Sequence, residues 1–170
     1  KLDKKLSRIA RQTTQTDYPS LEYVKRLCSS ITIKTEVDRR DQALIAFLML
    51  SAMRVEATYT LPLKCFDINK LTVDQDPIKD VKTKSSKYIF TTFFGFDDEL
   101  ISYVLNWVKY LREEKLFNNN APLFPRTKLQ HKSKDDFCFE GTTVEAKFWQ
   151  GEGSILNILE QRVKNSKLDY

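Results

Sequence analysis

The residues best suited to chemistry are an arginine after an apolar run and a group of lysines some thirty positions further on. Arg54 follows Ala43 to Met53, a stretch almost wholly apolar. Burying a guanidinium there is costly unless it meets an anion or a carboxylate. Either it caps the helix end, bonding carbonyls or Glu56, or it clamps a phosphate, whose oxygens suit a planar fork of donors. Lys79, Lys82, Lys84 and Lys87 cluster in a polar run between two β-forming segments. Taken alone they are a soluble turn; on a twisted two-stranded ribbon they would reach a DNA groove and place an ammonium beside a backbone oxygen.

Other chemistry is poorly supplied. The single His131 has no patterned partner, so a Ser or Cys nucleophile would lack its base. Cys28, Cys65 and Cys138 lie far apart with no Cys-x-x-Cys or His-x-His cluster, which reads as reduced core thiols and leaves no transition-metal site. The adjacent acids Asp97 and Asp98, and Glu113 and Glu114, are explained by helix-end charge and a solvated face. With 28 Lys plus Arg against 23 Asp plus Glu, the formal charge is +5, which favours a polyanionic partner without proving one. No apolar run approaches the roughly 20 residues of a membrane span, so the expectation is a soluble, cytoplasmic protein.

The 170 residues, 41% hydrophobic and 12% aromatic, suffice for one core. Residues 1–18 form a basic linker with Lys1, Lys4, Lys5, Arg8 and Arg11. Ser20 caps an expected helix over about 20–30, in which Leu21, Val24, Leu27 and Cys28 recur at helical spacing. Asp38 to Met53 reads as a central helix buried on nearly all sides. A short helix follows over 55–60 and stops at Pro62. The segments 71–73 and 88–94 are β-formers that bracket the lysine-rich turn. Acids at 97–99 open a second long helix to about 115. Residues 126–140 are expected to be an exposed irregular loop, and residues 152–165 a last helix.

In this order the pieces resemble the tyrosine recombinases, the phage-type integrases, with the closest likeness to integrases of bacterial mobile elements. The resemblance runs through Ala43-Leu-Ile-Ala-Phe47, Ser51-Ala-Met-Arg54, Leu61-Pro-Leu-Lys-Cys-Phe-Asp67, Val81-Lys-Thr-Lys-Ser-Ser-Lys87, Thr91-Thr-Phe-Phe94, Trp107-Val-Lys-Tyr-Leu111 and Pro122-Leu-Phe-Pro125. It implies an α+β, mainly helical domain with a small three-stranded antiparallel sheet, its N-terminal part spanning residues 19–170 and incomplete at the C-terminus. It implies attack by a tyrosine hydroxyl on a DNA phosphate, a 3′-phosphotyrosyl link, and no metal or nucleotide cofactor. Arg54 matches the first catalytic arginine. Lys84 best matches the hairpin lysine that protonates the leaving 5′-oxygen, with Lys82 and Lys87 as alternatives and all three as DNA contacts. The implied partner is double-stranded DNA, on which the parent protein assembles as a homo-oligomer in the bacterial nucleoid.

Two departures qualify the resemblance. Ala57 stands where a carboxylate commonly lies three residues after the arginine, while Glu56 is one position early and Asp67 is displaced. The His-x-x-Arg motif, the later His or Trp and the nucleophilic tyrosine find no match; His131 is followed three places on by Lys134. The expectation is therefore a truncated fragment that binds DNA and cuts nothing, with apolar surface bared around Phe47, Phe137 and Ile155 and consequent self-association. Two alternatives stay open: a non-catalytic DNA-binding or regulatory module, and a plain interaction domain with an incidental basic surface.

Overall fold

The computed structural model describes residues 18–131 and 139–168, with only the backbone of residues 130, 131, 139 and 140. Residues 1–17 of the basic linker, Lys134, Phe137 and Cys138 lie outside the described residues, as does Tyr170.

Helix α1, Leu21–Ser30, starts where the Ser20 hydroxyl accepts the Tyr23 N–H at 3.1 Å, and its Tyr23, Val24, Leu27 and Cys28 face inward. Helix α2, Glu36–Ser51, begins earlier than its apolar run suggests. Thr35 and Asp38 form a capping box: the Thr35 hydroxyl accepts from Asp38 N at 3.1 Å, and the Asp38 carboxylate accepts from Thr35 N at 2.9 Å. Ala43 to Phe47 are buried without a break, the mark of a helix enclosed on all sides. It ends at Ser51, short of the expected Met53, because Ala52 turns left-handed at φ 49°, where its N–H still bonds Leu48 O. Arg54 is then extended and opens the short helix α3, Val55–Tyr59.

Strands β1 (Phe66–Asp67), β2 (Thr72–Gln75) and β3 (Ile89–Thr92) form the expected three-stranded antiparallel sheet, in that order. Val73 pairs with Thr91 and Gln75 with Ile89, so these side chains share the inner face. Helix α4, Asp98–Glu113, is capped by Asp97, whose carboxylate accepts from Leu100 N at 2.9 Å and meets Lys25 Nζ at 2.9 Å.

The core forms around α2. Phe47 meets Phe66, Phe93 and Phe124 edge-on at centroid distances of 6.0, 5.4 and 5.1 Å, joining the helix to the sheet and to the Pro122-Leu-Phe-Pro125 segment. That segment is stitched to the chain after α3: Leu63 N donates to Ala121 O and Leu123 N to Leu61 O, at 2.9 and 2.8 Å. Trp107 of α4 is wholly buried and donates its indole N–H to Leu123 O at 2.8 Å.

The chain after Pro125 departs from the sequence expectation. Instead of an irregular loop, Thr127–His131 (β4) and Phe139–Val144 (β5) pair antiparallel as a second sheet with a bulge between Lys128 and Gln130. The polar sequence of these strands carries too few apolar positions for their alternation to show. Helix α5, Gly153–Ser166, then packs on α1 and α2. Phe47 and Ile155 are both fully buried, so neither belongs to the bared apolar surface expected of them.

Candidate nucleic-acid interface

Arg54 lies at the turn between α2 and α3, and the turn exists because the left-handed Ala52 breaks α2 two residues earlier. Its guanidinium is exposed, and no hydrogen bond or ion pair holds it among the described residues. The expected cost of burying Arg54 therefore does not arise, and neither does a helix-end bond to Glu56. Among the described residues the buried arginine is Arg40, at 1% exposure. It is neutralised by Asp41, with bonds of 2.9 and 2.7 Å, and donates to Pro125 O at 3.1 Å and Thr127 Oγ1 at 2.9 Å.

The segment from Val81 to Tyr88 leaves β2 and returns to β3 through a tight turn at Lys84–Ser86, where Ser85 and Ser86 adopt φ 59° and 51°. Positive φ costs a side-chain-bearing residue energy, and the Thr83 hydroxyl helps hold the turn by donating to Lys87 O at 2.6 Å. Lys82 is fixed at the base of the turn. Its backbone N donates to Thr60 Oγ1 at 2.9 Å, and its ammonium donates to Tyr59 Oη at 3.1 Å, 5.3 Å from the Tyr59 ring centre. The hydrogen bond to Tyr59 raises the Lys82 ammonium above the ordinary lysine range, so it holds its proton firmly. Lys84 is exposed at the turn with no protein partner among the described residues. Lys79 is occupied by an ion pair with Asp74.

Arg54, Lys82 and Lys84 line one open cavity of about 830 Å³, together with Glu56, Gln75 and Thr91. Three cationic side chains against the one carboxylate of Glu56 leave a formal excess of two positive charges, the balance expected of an anion site. Lys87 lies outside the lining, and so does Asp67, whose carboxylate instead accepts from the backbone of Asn69 and Lys70. Ala57, which stands where the resemblance would place a carboxylate, is buried at the edge of this cavity. The backbone of His131 ends β4.

Sequence reasoning missed Tyr18, Gln75 and Thr91 in the lining. For the last two the alternation along β2 and β3 was a usable signal, but it needed the register between the strands. Among the described residues no group of His, Cys, Asp and Glu is placed to hold a metal, and no helix is long and apolar enough to cross a membrane.

A central buried helix ending near an arginine, a small antiparallel sheet with a lysine-bearing turn, and a second long helix make up an α+β, mainly helical architecture. The solved structure of XerA recombinase matches this fold with a TM-score of 0.57, at 15% sequence identity, over 94% of this chain. The match spans 45% of the XerA recombinase chain. No protein-family model and no curated protein matches the sequence.

Proposed function

We propose that this chain is the DNA-binding, N-terminal part of a tyrosine-recombinase catalytic domain, and that its cavity receives a phosphate of duplex DNA. The observation that carries the reading is the gathering of Arg54, Lys82 and Lys84 around one cavity, with the Arg54 guanidinium and the Lys84 ammonium unpaired among the described residues. A guanidinium with no protein partner keeps its donors free for phosphoryl oxygens.

In the whole enzyme, a tyrosine oxygen would attack phosphorus and the 5′-oxygen would leave with a proton from a hairpin lysine. Arg54 would stabilise charge on the non-bridging oxygens. Lys84 suits the acid role better than Lys82, because its ammonium has no protein partner among the described residues, whereas that of Lys82 is held by Tyr59 as a fixed countercharge. No metal or nucleotide enters this scheme. Assembly of the parent on DNA as a homo-oligomer, in a bacterial cytoplasm and on a mobile element, follows from the same reading.

Two measurements test it. Fluorescence anisotropy should show weak binding of duplex DNA by this chain, while a suicide substrate should yield no covalent adduct. No binding at low salt would leave the plain interaction domain, and an adduct would overturn the assignment of an inactive fragment. In the parent enzyme, Lys84→Ala should slow cleavage of an ordinary phosphodiester and be partly rescued by a better 5′ leaving group. Rescue of Lys82→Ala in its place would move the acid to Lys82. A non-catalytic module would bind DNA equally well and show no cleavage defect in any longer form of the protein.

A further inference from the structure

Gln75 is 4% exposed, on the inner face of β2, and its amide Nε2 donates to Thr91 Oγ1 at 2.7 Å. A buried amide is costly unless satisfied, and an apolar residue would serve the sheet at this position without that cost. The bond also sets the direction of a proton. A hydroxyl oxygen that accepts from an amide still carries one O–H to donate, and the Thr91 hydroxyl has no other partner among the described residues. Thr91 and Gln75 both line the cavity of Arg54, Lys82 and Lys84. The neutral donor therefore opens onto a space already surrounded by cationic groups.

We propose that the Thr91 hydroxyl is a further phosphate-binding group, donating to a non-bridging oxygen of the DNA phosphate in this cavity, with Gln75 as its positioning residue. The inference rests on the cavity being a phosphate site. It adds a short donor, held in direction by Gln75, to the fork of Arg54 and the charge of the lysines. The cations supply most of the attraction, while Thr91 adds a neutral contact that helps set how the phosphate is turned.

Salt dependence separates this role from a charged one. A cation that neutralises a phosphate releases a counterion and so steepens the fall of affinity with salt, whereas a neutral hydroxyl releases none. With a short duplex followed by fluorescence anisotropy at several salt concentrations, Thr91→Val should weaken binding roughly tenfold, as for a lost hydrogen bond to a charged group, with the salt slope unchanged. Thr91→Ser should bind as the unmodified chain does. Gln75→Met should approach the loss seen for Thr91→Val, and the Gln75→Met, Thr91→Val double variant should be no weaker than Thr91→Val alone. The double variant also protects the test against misfolding, because it removes donor and acceptor together and leaves no orphaned amide. If the folded double variant binds as tightly as the unmodified chain, the pair only holds β2 to β3 and the proposal is overturned. In that outcome Arg54→Ala would still weaken binding with a shallower slope, leaving the phosphate reading intact. If the unmodified chain itself does not bind, it is the underlying reading that fails.

Discussion

Arg54 and Arg40 divide between them what the sequence attributes to one residue. Arg40, flanked by charged neighbours at the start of α2, is the arginine enclosed by protein, and Arg54, flanked by apolar ones, stands free at the turn. The reason is helical geometry: Arg40 shares the inward face of α2 with Ala43, Leu44 and Phe47, whereas Arg54 comes after the left-handed break at Ala52. Substitution should therefore separate folding from binding. Arg54→Ala should leave stability within about 0.5 kcal/mol, as for an exposed side chain, yet reduce the salt slope of DNA binding by about 0.9. Thermal melts and anisotropy on the same preparation check both. For two of the three cysteines the sulfur chemistry was legible: Cys28 and Cys65 are buried, and burial pushes their thiols up to about 12 and about 11. Neither should react with an aromatic disulfide reagent in the native protein at neutral pH, and both should do so once it is unfolded in urea. Fast labelling of either Cys→Ser single variant at the remaining one of these two sites would contradict their burial.

At the scale of elements, the helices and first sheet could be read because each has its own signal: caps at Ser20 and Asp97, an apolar run in α2, β-formers on either side of the lysines. The β4–β5 hairpin and the docking of α5 could not, because both depend on distant polar partners. Glu36 accepts from Val144 N at 2.8 Å, from Lys115 Nζ at 2.9 Å and from Tyr110 Oη at 2.8 Å, tying β5 and α4 to the start of α2. Arg162 reaches back from α5 to Asp38 and Asp41, at 2.8 Å each. Burial alone would push the Glu36 and Asp38 carboxyls up, but the bonds from Val144, Lys115 and Tyr110 to Glu36, and from Thr35, Arg162 and Lys34 to Asp38, hold both below their ordinary values. A carboxyl held low in the folded state adds stability above its unfolded pKa and loses it as pH falls through the folded one. Stability should thus begin to drop below the ordinary 4.5 of Glu and 3.8 of Asp and continue downward. Urea midpoints measured from pH 7 to pH 3 should show this fall, and Glu36→Gln should flatten it while lowering stability at pH 7. Arg162→Ala should cost about 2 kcal/mol, since it withdraws charge-assisted hydrogen bonds from two half-buried or buried carboxylates. An unchanged urea midpoint would mean that α5 is held by its apolar face alone.

Across the whole molecule, one face of the sheet serves both core and cavity: Val73 and Phe93 belong to the core, with Phe93 against Phe47, while Gln75 and Thr91 further along the same face line the cationic cavity. The fold class followed from the order of elements, but this division did not, because it depends on register and on where α2 breaks. The same packing determines how the protein should unfold. Ile155 of α5 is fully buried, Arg162 bonds into α2, and the Arg40 guanidinium lies 5.0 Å from the centre of the Trp149 ring, so the C-terminal segment shares groups with the central helix. Trp107 lies in the same core, against Leu123. If these contacts act as one cooperative unit, tryptophan emission and far-UV circular dichroism must report the same urea transition. Phe47→Ala, which removes the ring joining helix, sheet and Pro122-Leu-Phe-Pro125 segment, should lower stability by about 3 to 5 kcal/mol and move both curves equally. Separation of the curves, with helical signal lost before the tryptophan signal, would show α5 releasing as an independent unit. It would then place the boundary of cooperative structure near Trp149, and Arg162→Ala should widen the gap by weakening the joint between the two units.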